Sequence, residues 1–402
     1  MNAPKPPSRN RVAVAGVGLV TPLGHDAWST FRALLAGRTL SDRLAQLDEG
    51  TDVFNIARKV GGVSIARHDP VDPACALAER AAREAITAAN TVFPIEALGL
   101  PTWCGCSKGA VVALEAAAEG KNAEAVALGP HQLLASELTR RVGVEVASHC
   151  VAACASSLVA IDRARRAIVH GKVQSALVVS AEAALTPMFV NSYRRLGVLA
   201  PLTLDGYRAK PLDDARDGFV LAEVGAAVVL RAVGDDEPWP THGTSPLPEL
   251  VDTACLTEAY DLLRPPTQMH ALREVARRLT AGRPIAALHP HAPGTREHDL
   301  TELQTLADVL NAEREMTQAH APVAVYASKG ALGHTLGSAG LVSLVLATLM
   351  RRTKTRPPMP WLTKPMRGAA VPLASPPQDL AEGCHAVFAA GFGGHTAGAV
   401  IR

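Results

Sequence analysis

Residues 142–168 read VGVEVASHCVAACASSLVAIDRARRAI, and this stretch places a cysteine between a strand pattern and a helical one. A β-prone, largely apolar run breaks at Ala152 and Ala153, and a helical pattern begins near Cys154. A thiol at a helix start lies beside unpaired amide N–H groups and the positive end of the helix dipole, which favour the thiolate. Cys154 is therefore either a candidate nucleophile or a small apolar residue packed where a strand meets a helix.

The composition describes a compact chain with a large interior. Of 402 residues, 48% are hydrophobic and 19% charged, and the net charge is +2. No basic block indicates a nucleic-acid partner, and no charged tail is present. The longest apolar run, residues 341–350, is too short to span a bilayer and is typical of a buried helix. Seven cysteines, an odd number, do not suggest a disulfide framework, so we expect a cytoplasmic protein with reduced thiols.

Strand and helix patterns alternate along most of the chain, which predicts buried sheets covered by helices. Residues 232–248 are rich in Pro, Gly and acidic residues and form the best internal boundary. The order of elements is similar on the two sides of it. We therefore expect a disordered, Pro-rich tail over residues 1–10 and two related halves over residues 11–235 and 236–402. Residues 38–70 have no regular pattern and are expected to be irregular.

Three motifs give only weak support for alternative functions. Gly16-Val17-Gly18 lacks the third glycine of a dinucleotide-binding turn. Cys104 and Cys106 have no second cysteine pair at metal-ligand spacing, and we interpret them as structural. The histidines of residues 289–298 have poor ligand spacing, so we predict no metal site.

Three stretches downstream of the boundary carry further chemistry. They are HPHAPGTREHDLTE at residues 289–302, SKGALGHTLGSAG at residues 328–340 and AAGFGGHTAG at residues 389–398. Taken singly, they could be a chance histidine cluster, a solvated loop lysine and a hairpin turn.

Taken in order, the motifs resemble one family. The series is ACASSL, RDGFV, H-x-x-G-T followed by Asp and Glu, K-x-x-x-x-H-x-x-G-x-A-G, and G-F-G-G. It resembles the β-ketoacyl synthases of the elongating type, from about Val12 to Ile401. The resemblance implies an α/β, thiolase-like fold in which two pseudo-repeated βαβαβαββ halves form a five-layered αβαβα sandwich. The first half would carry the nucleophile, and the second the His, Lys, His set and a Gly-Phe gate loop.

The resemblance also implies roles for the nucleophile and the gate loop. Cys154 would accept an acyl group from a carrier thioester. The backbone N–H groups of Cys154 and Phe392 would hold the oxyanion of the tetrahedral intermediate. Gly391, Gly393 and Gly394 would let the turn approach closely, and Phe392 would act as a gate for the acyl chain.

The second half would hold the malonyl thioester. His291 and His334 would stabilise the enolate that forms on loss of CO₂, because a neutral imidazole can donate from one nitrogen. Lys329 would orient and polarise the histidine site. The supporting residues implied by the family are Asp299, Glu302 and Thr295.

The same resemblance implies that the substrates are carried on the phosphopantetheine of an acyl carrier protein. It implies no other cofactor for this chain. Family members pair through a central sheet edge, so a homodimer is expected, and a heterodimer with a second ketosynthase-like chain stays open. The basic residues Arg194, Arg195, Arg208 and Lys210 could meet an acidic carrier or be a solvated face.

Departures from the family pattern leave alternatives open. The usual H-G-T-G-T loop reads HAPGT here and loses a hydroxyl at Pro293, while Ala390 and Thr396 replace a Phe and an Asn of the closing turn. The alternatives are a chain-length-factor-like partner and an acyltransferase or decarboxylase on the same scaffold. A thiolase is a weaker alternative, because the last glycine-rich loop holds no cysteine.

Overall fold

The computed structural model describes residues 10–44, 53–121, 123–203, 206–207, 209–264, 266–317 and 322–402. Residues 1–9 of the predicted tail lie outside the described residues. Asn10 donates a hydrogen bond from Nδ2 to the Ile168 carbonyl at 3.2 Å.

The strands are β1 (Arg11–Val20), β2 (Pro101–Cys104), β3 (Glu145–His149), β4 (Ser175–Glu182), β5 (Leu202–Thr203), β6 (Gly206–Tyr207), β7 (Val224–Val233), β8 (Thr241–His242), β9 (Ser245–Pro246), β10 (Leu250–Thr257), β11 (Ile285–His289), β12 (Ala324–Val325), β13 (Thr355–Arg356), β14 (Gln378–Asp379), β15 (Cys384–Gly391) and β16 (His395–Ile401).

The helices alternate with these strands. They are α1 (Ala27–Leu35), α2 (Ser41–Leu44), α3 (Val53–Gly61), α4 (Pro73–Ala89), α5 (Val111–Ala118), α6 (Ala123–Val142), α7 (Ser156–Val169), α8 (Pro187–Arg195), α9 (His270–Thr280), α10 (Arg296–Thr317), α11 (Lys329–Leu332) and α12 (Ala339–Thr353). Short 3₁₀ turns span Ser64–Ala66 and Leu336–Ser338.

Two five-stranded sheets share one topology. Their strand orders are β1-β7-β4-β2-β3 and β10-β16-β15-β11-β12. In each sheet the first two pairings are antiparallel and the last two are parallel. This repetition of order and direction agrees with the two related halves expected from the sequence.

Helices form three layers around the two sheets. Helices α4 and α6 pack on the outer face of the first sheet, and α9 and α10 pack on the outer face of the second. Helices α7 and α12 lie between the sheets and contact both. Residues 339–350 of α12 are all buried, as their apolar run predicts. The result is the αβαβα sandwich that the resemblance implies.

Gly16 and Gly18 serve the packing of α4 against β1. A Cβ at Gly16 would lie 2.1 Å from the Ala85 carbonyl oxygen, and one at Gly18 would lie 2.1 Å from that of Ala81. The two glycines therefore let an alanine-rich helix face approach the strand, which explains this G-x-G without a dinucleotide. Asp72 caps α4 by accepting from the Ala74 amide at 2.8 Å.

Several elements differ from the sequence expectation. Residues 38–70 were expected to be irregular, but they contain α2, α3 and a 3₁₀ turn, with residues 45–52 outside the described part. Tertiary packing decides this, since Val60 and Ile56 are buried against the RDGFV segment, a distant part of the chain. The sequence patterns also did not predict α6, α8 or β10. In the described part of the chain, no helix is both long enough and apolar enough to cross a bilayer.

Candidate active site

A strained turn presents Cys154 between β3 and α7. Ala153 has φ 47°, a left-handed conformation that residues with a side chain rarely adopt. The Ser156 hydroxyl stabilises the turn, accepting from the Ala152 amide at 2.9 Å and donating to the Ala153 carbonyl at 2.6 Å. The Cys154 side chain is partly exposed and lines a cavity of about 350 Å³. The thiol is therefore accessible from the cavity, as a nucleophile requires.

The pKa of this thiol differs from the sequence expectation. Burial raises the pKa of Cys154 to about 11, and the positive charge of Lys329 opposes this rise. The field at a helix start would shift the pKa of this thiol in the opposite direction, downward. Helix α7 begins only at Ser156, and removal from water outweighs the local backbone field. The resting group is consequently a thiol, and its reaction requires a base.

Two buried histidines lie opposite the thiol. The Cys154 sulfur and a ring nitrogen of each of His291 and His334 lie within 4.8 Å of one another. The two imidazole centroids are 5.3 Å apart at an angle of 75°. Burial and the nearby Lys329 charge lower the pKa of both histidines well below 6.5, so both are neutral at pH 7. The fold thus brings together three groups that the sequence separates by up to 180 positions (154 to 334).

Two acidic residues of α10 fix the loop that carries His291. Glu302 accepts from the His291 amide at 2.6 Å and from the Ala292 amide at 2.7 Å. Asp299 accepts from the Gly294 amide at 2.9 Å. Both carboxyl groups are buried, and all these partners are backbone donors. Glu302 and Asp299 therefore support the loop, in the positions where the resemblance implied supporting residues.

Lys329 contacts the same loop directly. Its ammonium group is buried and donates a hydrogen bond to the His291 carbonyl oxygen. Burial lowers the pKa of Lys329 to about 8, and the charge of Glu302 opposes this. Thr295 also lines the cavity, and its carbonyl accepts from the Arg216 side chain at 3.2 Å.

His334 is held by backbone contacts and by an aromatic ring. Its Nδ1 accepts from the Leu336 amide at 2.9 Å, so Nδ1 carries no proton and Nε2 is the N–H of the neutral ring. The Phe219 ring lies 4.6 Å from the imidazole, centroid to centroid. The backbone N–H of His334 donates to the Val220 carbonyl at 2.6 Å. The RDGFV segment of the first half thus packs directly on a histidine of the second.

The Gly-Phe loop closes over the cysteine turn. A Cβ at Gly391 would lie 2.7 Å from the Ala152 oxygen and 3.0 Å from the Cys154 nitrogen, so only glycine permits this approach. Phe392 lines the cavity. The Gly393 amide donates to the Leu262 carbonyl at 2.9 Å, and the Gly394 carbonyl accepts from the Glu258 amide at 3.0 Å. The loop therefore rests on the Cys154 turn on one side and on residues 258–262 on the other.

Some cavity residues were not foreseen from the sequence. Tyr193, Met269 and Leu272 supply apolar lining, and no local pattern distinguishes them from core residues. Glu182, which does not line the cavity, is fully buried at the end of β4, and an acidic residue that closes an apolar strand is a local signal of such a position. Cys384, the cysteine nearest to the Gly-Phe loop in sequence, is buried at the opposite end of β15 from Gly391.

Solved structures of ketosynthases share this fold. A type II polyketide acyl-carrier protein in complex with its ketosynthase, bound to a hexaketide (AntDE:AntF), gives a TM-score of 0.76 at 19% identity, over 98% of this chain and 99% of the other. A β-ketoacyl synthase from Burkholderia phymatum gives 0.74 at 21% identity, over 98% and 99%. The ishigamide ketosynthase/chain length factor gives 0.74 at 19% identity over the same shares. The architecture is the thiolase-like fold of ketosynthases.

Sequence comparison defines the family. The β-ketoacyl synthase N-terminal domain profile matches residues 9–235, and the C-terminal domain profile matches residues 259–362. The chain belongs to the β-ketoacyl synthase family. A 3-oxoacyl-[acyl-carrier-protein] synthase 2 from Synechocystis sp. is 26% identical over 373 residues, 87% of each chain. The enzyme of the same name from Mycobacterium tuberculosis is 28% identical over 215 residues, 52% of this chain, and that match spans about half (49%) of the relative.

Proposed function

We propose that the protein catalyses a decarboxylative Claisen condensation, in fatty acid or polyketide synthesis. An acyl group held on Cys154 would react with a malonyl group carried as a thioester by an acyl carrier protein. The observation that supports this best is the arrangement of the Cys154 sulfur and the nitrogens of His291 and His334, all within 4.8 Å at one cavity. A thiol with two neutral imidazoles suits covalent acyl transfer followed by enolate stabilisation.

In the first step, the thiol attacks the carbonyl carbon of the acyl thioester. Because the pKa of Cys154 is raised to about 11, the proton leaves as the carbon–sulfur bond forms, and a neutral imidazole of the pair accepts it. The backbone N–H groups of Cys154 and Phe392 hold the oxyanion. The intermediate collapses when the bond to the carrier sulfur breaks, and the carrier thiolate takes the proton from the imidazolium.

In the second step, the malonyl thioester occupies the vacated space. Its carboxylate leaves as CO₂, and the electron pair of the broken carbon–carbon bond forms the enolate. His334 donates from Nε2 to the thioester oxygen, and His291 donates from its own ring N–H. The enolate carbon then attacks the acyl carbonyl. A carbon–carbon bond forms, the Cys154 thiolate departs, and a proton from solvent restores the thiol.

Lys329 distinguishes this reaction centre from a metal site. The same sulfur and two nitrogens could serve as metal ligands by distance alone. The buried Lys329 charge already lowers the pKa of both histidines, so a second cation among these groups would be repelled. We therefore propose acyl chemistry without a metal, in which Lys329 fixes the His291 loop through its carbonyl oxygen.

The carrier protein would approach the mouth of the cavity. Leu196 and Arg264 line the cavity, and Arg194 and Arg195, which precede Leu196 in the chain, are exposed. Lys210 is half-buried, and Arg208 lies outside the described residues. The charge reversal R194E/R195E should raise KM for a carrier-bound thioester and leave KM for a short pantetheine thioester unchanged. Equal effects on both thioesters would assign these arginines to another role.

We further propose that two copies of the chain associate along β3. This strand is the edge of the first sheet, and one of its sides has no strand partner among the described residues. Leu98 and Val151 nearby are 83% and 57% exposed, respectively. A second copy would extend the sheet and cover these side chains. A second, ketosynthase-like chain could use the same edge and would give a heterodimer.

The proposal is tested by mass spectrometry of the intact protein after incubation with a panel of acyl-carrier thioesters, followed by malonyl-carrier. We expect an acyl adduct on Cys154 that disappears when malonyl-carrier is added, with release of CO₂ and a 3-oxoacyl product. C154A should form no adduct. H291A and H334A should retain some acylation and lose condensation by about 10²- to 10³-fold.

The outcomes separate the related activities. An adduct that malonyl-carrier does not discharge would indicate an acyltransferase. Release of CO₂ from malonyl-carrier without an extended product would indicate a decarboxylase. Absence of any Cys154 adduct across the panel, in a folded protein, would contradict the proposed function.

A further inference from the structure

Two side chains at the end of β4 join the two halves of the molecule. Ser180 and Glu182 alternate with Ala181, so both point to the same face of the sheet, and both are fully buried. The Ser180 hydroxyl lies 2.6 Å from that of Ser338 and donates to the Gly105 carbonyl. Glu182 Oε1 accepts from the Ser107 amide, from the Ser107 hydroxyl at 2.7 Å and from the Gly337 amide at 3.2 Å.

The Gly337 contact bears directly on His334. Gly337 lies in the 3₁₀ turn Leu336–Ser338, and the first amide of that turn, from Leu336, donates to His334 Nδ1. A Cβ at Gly337 would lie 2.6 Å from Glu182 Oε1, which shows how closely the carboxyl group packs against the turn. The orientation of the His334 ring depends on the Leu336 amide. Glu182 therefore holds the next amide in the chain, that of Gly337.

The other contacts of Glu182 reach the nucleophile. A Cβ at Gly105 would lie 2.6 Å from Ser157 Cα and 2.8 Å from the Ser156 oxygen, so the 105–107 turn packs on the start of α7. This first turn of α7 follows Cys154. Glu182 thus connects the segment that supports Cys154 with the segment that carries His334. Its charge is close enough to raise the pKa of the Cys154 thiol.

The chemistry of the contacts suits a carboxylate. All three partners of Oε1 are donors, so this oxygen serves as an acceptor, although burial raises the pKa of Glu182 to about 7. Oε2 is buried and has no hydrogen-bond partner among the residues that the structure describes. Burial of a carboxyl oxygen in this way is costly, and a residue serving only to fill space would avoid that cost.

We propose that Glu182 is a positioning residue that holds the Leu336–Ser338 turn through the Gly337 amide and so keeps the His334 imidazole aimed at the substrate beside Cys154. This inference rests on the proposed role of His334 in condensation. It predicts that loss of the Glu182 contact impairs the step that uses His334 and spares the acylation of Cys154.

A double-mutant cycle tests the proposal. E182A should slow condensation by about 10- to 100-fold, the loss expected when a catalytic group is displaced by about 1 Å. Acylation of Cys154, followed by mass spectrometry, should stay within about threefold of wild type. In an H334A background, E182A should have no further effect, because the residue it positions is absent. An equal loss in both backgrounds would indicate general damage and overturn the proposal.

A matched control tests whether the effect depends on the position of Glu182 or would follow the loss of any carboxylate that accepts backbone donors. Glu84 accepts backbone donors from Leu19 at 2.9 Å and Ala27 at 2.8 Å and lies outside the cavity lining. E84A should lower the melting temperature and leave the ratio of condensation to acylation unchanged. If E84A changes this ratio as much as E182A does, the Glu182 proposal fails.

A spectroscopic measurement makes the test independent of activity. The ¹⁵N shifts of the His334 imidazole report which nitrogen carries the proton, and the structure predicts a protonated Nε2. E182M, which keeps the length of the side chain and has no acceptor, should mix the two tautomers, because the Leu336–Ser338 turn loses the acceptor of the Gly337 amide. E182Q is the conservative rescue: its amide oxygen can still accept from Gly337, so it should keep the Nε2–H form. Should E182A fail to fold, E182M decides the matter. An unchanged tautomer with unchanged condensation in E182M would overturn the proposal. If wild type does not condense, the proposed function fails, and the tautomer result still decides the role of Glu182.

Discussion

The local sequence around Cys154 identifies the turn that presents this residue, but it predicts the wrong direction for the pKa of its thiol. The small residues around it and the change from strand to helix mark the turn, and these are local properties. Its pKa depends on burial and on the charge of Lys329, which comes from the second half of the chain. The active group at rest is therefore a thiol with a nearby neutral base.

This chemistry predicts a particular pH dependence of alkylation. Because the pKa of Cys154 is raised to about 11, its rate of reaction with iodoacetamide should keep rising up to pH 10 without a plateau. The Lys329 charge lowers the thiol pKa, and Lys329 itself loses its proton near pH 8. K329M should therefore react several-fold more slowly than wild type at pH 7, with the difference shrinking above pH 8.

Peptide mapping of the alkylated protein shows which cysteine has reacted. Cys154 should be labelled before the other six cysteines, of which Cys255 alone is partly exposed and the rest are buried. A plateau below pH 9, or faster alkylation of K329M at pH 7, would show that the thiol is already ionised and would contradict the assignment.

At the scale of elements, glycines decide whether the Gly-Phe loop can reach the Cys154 turn. G391A would place a Cβ 2.7 Å from the Ala152 oxygen, so the loop must shift away from the nucleophile. We expect acylation and condensation to fall together by about 10- to 100-fold, since both steps would use the proposed oxyanion donors. G234A, whose Cβ would meet only a flexible Glu237 side chain at 3.6 Å, is the control. Equal activity of G391A and G234A in a steady-state assay would contradict this prediction.

A stacked histidine pair in the second sheet predicts how stability depends on pH. His289 and His385 lie on the neighbouring strands β11 and β15, with centroids 5.6 Å apart. Burial, with help from the charge of Arg351, lowers the pKa of His385 to about 4, against an ordinary value near 6.5. Between these pH values the unfolded chain binds a proton that the folded chain excludes. Stability contributed at this position is therefore lost as the pH falls from 6.5 to 4.

Carboxyl groups titrate in the same pH range, so a comparison with the variant H385Q isolates the contribution of His385 to the free energy of unfolding. The unfolding free energy of wild type minus that of H385Q should be constant from pH 7.5 to 8.5. It should then decrease by about 3 kcal/mol between pH 6.5 and pH 4. Urea denaturation at several pH values measures it. A difference that stays constant over the whole range would mean that His385 is protonated as easily in the folded state as in the unfolded one.

At the scale of the whole molecule, the exposed edge of the first sheet predicts association. Sedimentation should give twice the monomer mass of 42.0 kDa at micromolar concentration. Ala147 has no Cα partner on β2, because the register shifts there. A147P should therefore weaken pairing between copies while sparing the β2–β3 ladder. A monomeric wild type, or a folded A147P that stays fully dimeric, would contradict association along β3.

The sequence by itself determined the family, the order of the motifs and the residues that meet at the cavity. Helix α4, the apolar α12 and the acidic residues of the His291 loop follow from local patterns, because capping, periodicity and hydrogen-bond preference act over a few residues. Cys154, His291, Lys329 and His334 follow instead from the order of the motifs, through the resemblance to the β-ketoacyl synthases.

Only the tertiary structure decided how these residues are tuned. The raised pKa of Cys154, the Nε2–H form of His334 and the contacts of Glu182 depend on groups from distant parts of the chain. The helices within residues 38–70 likewise form by packing against a remote segment. Burial and electrostatic coupling act through space, and a sequence pattern records neighbours only along the chain. This is why the motifs predict the residues of the proposed reaction centre and do not predict their protonation states.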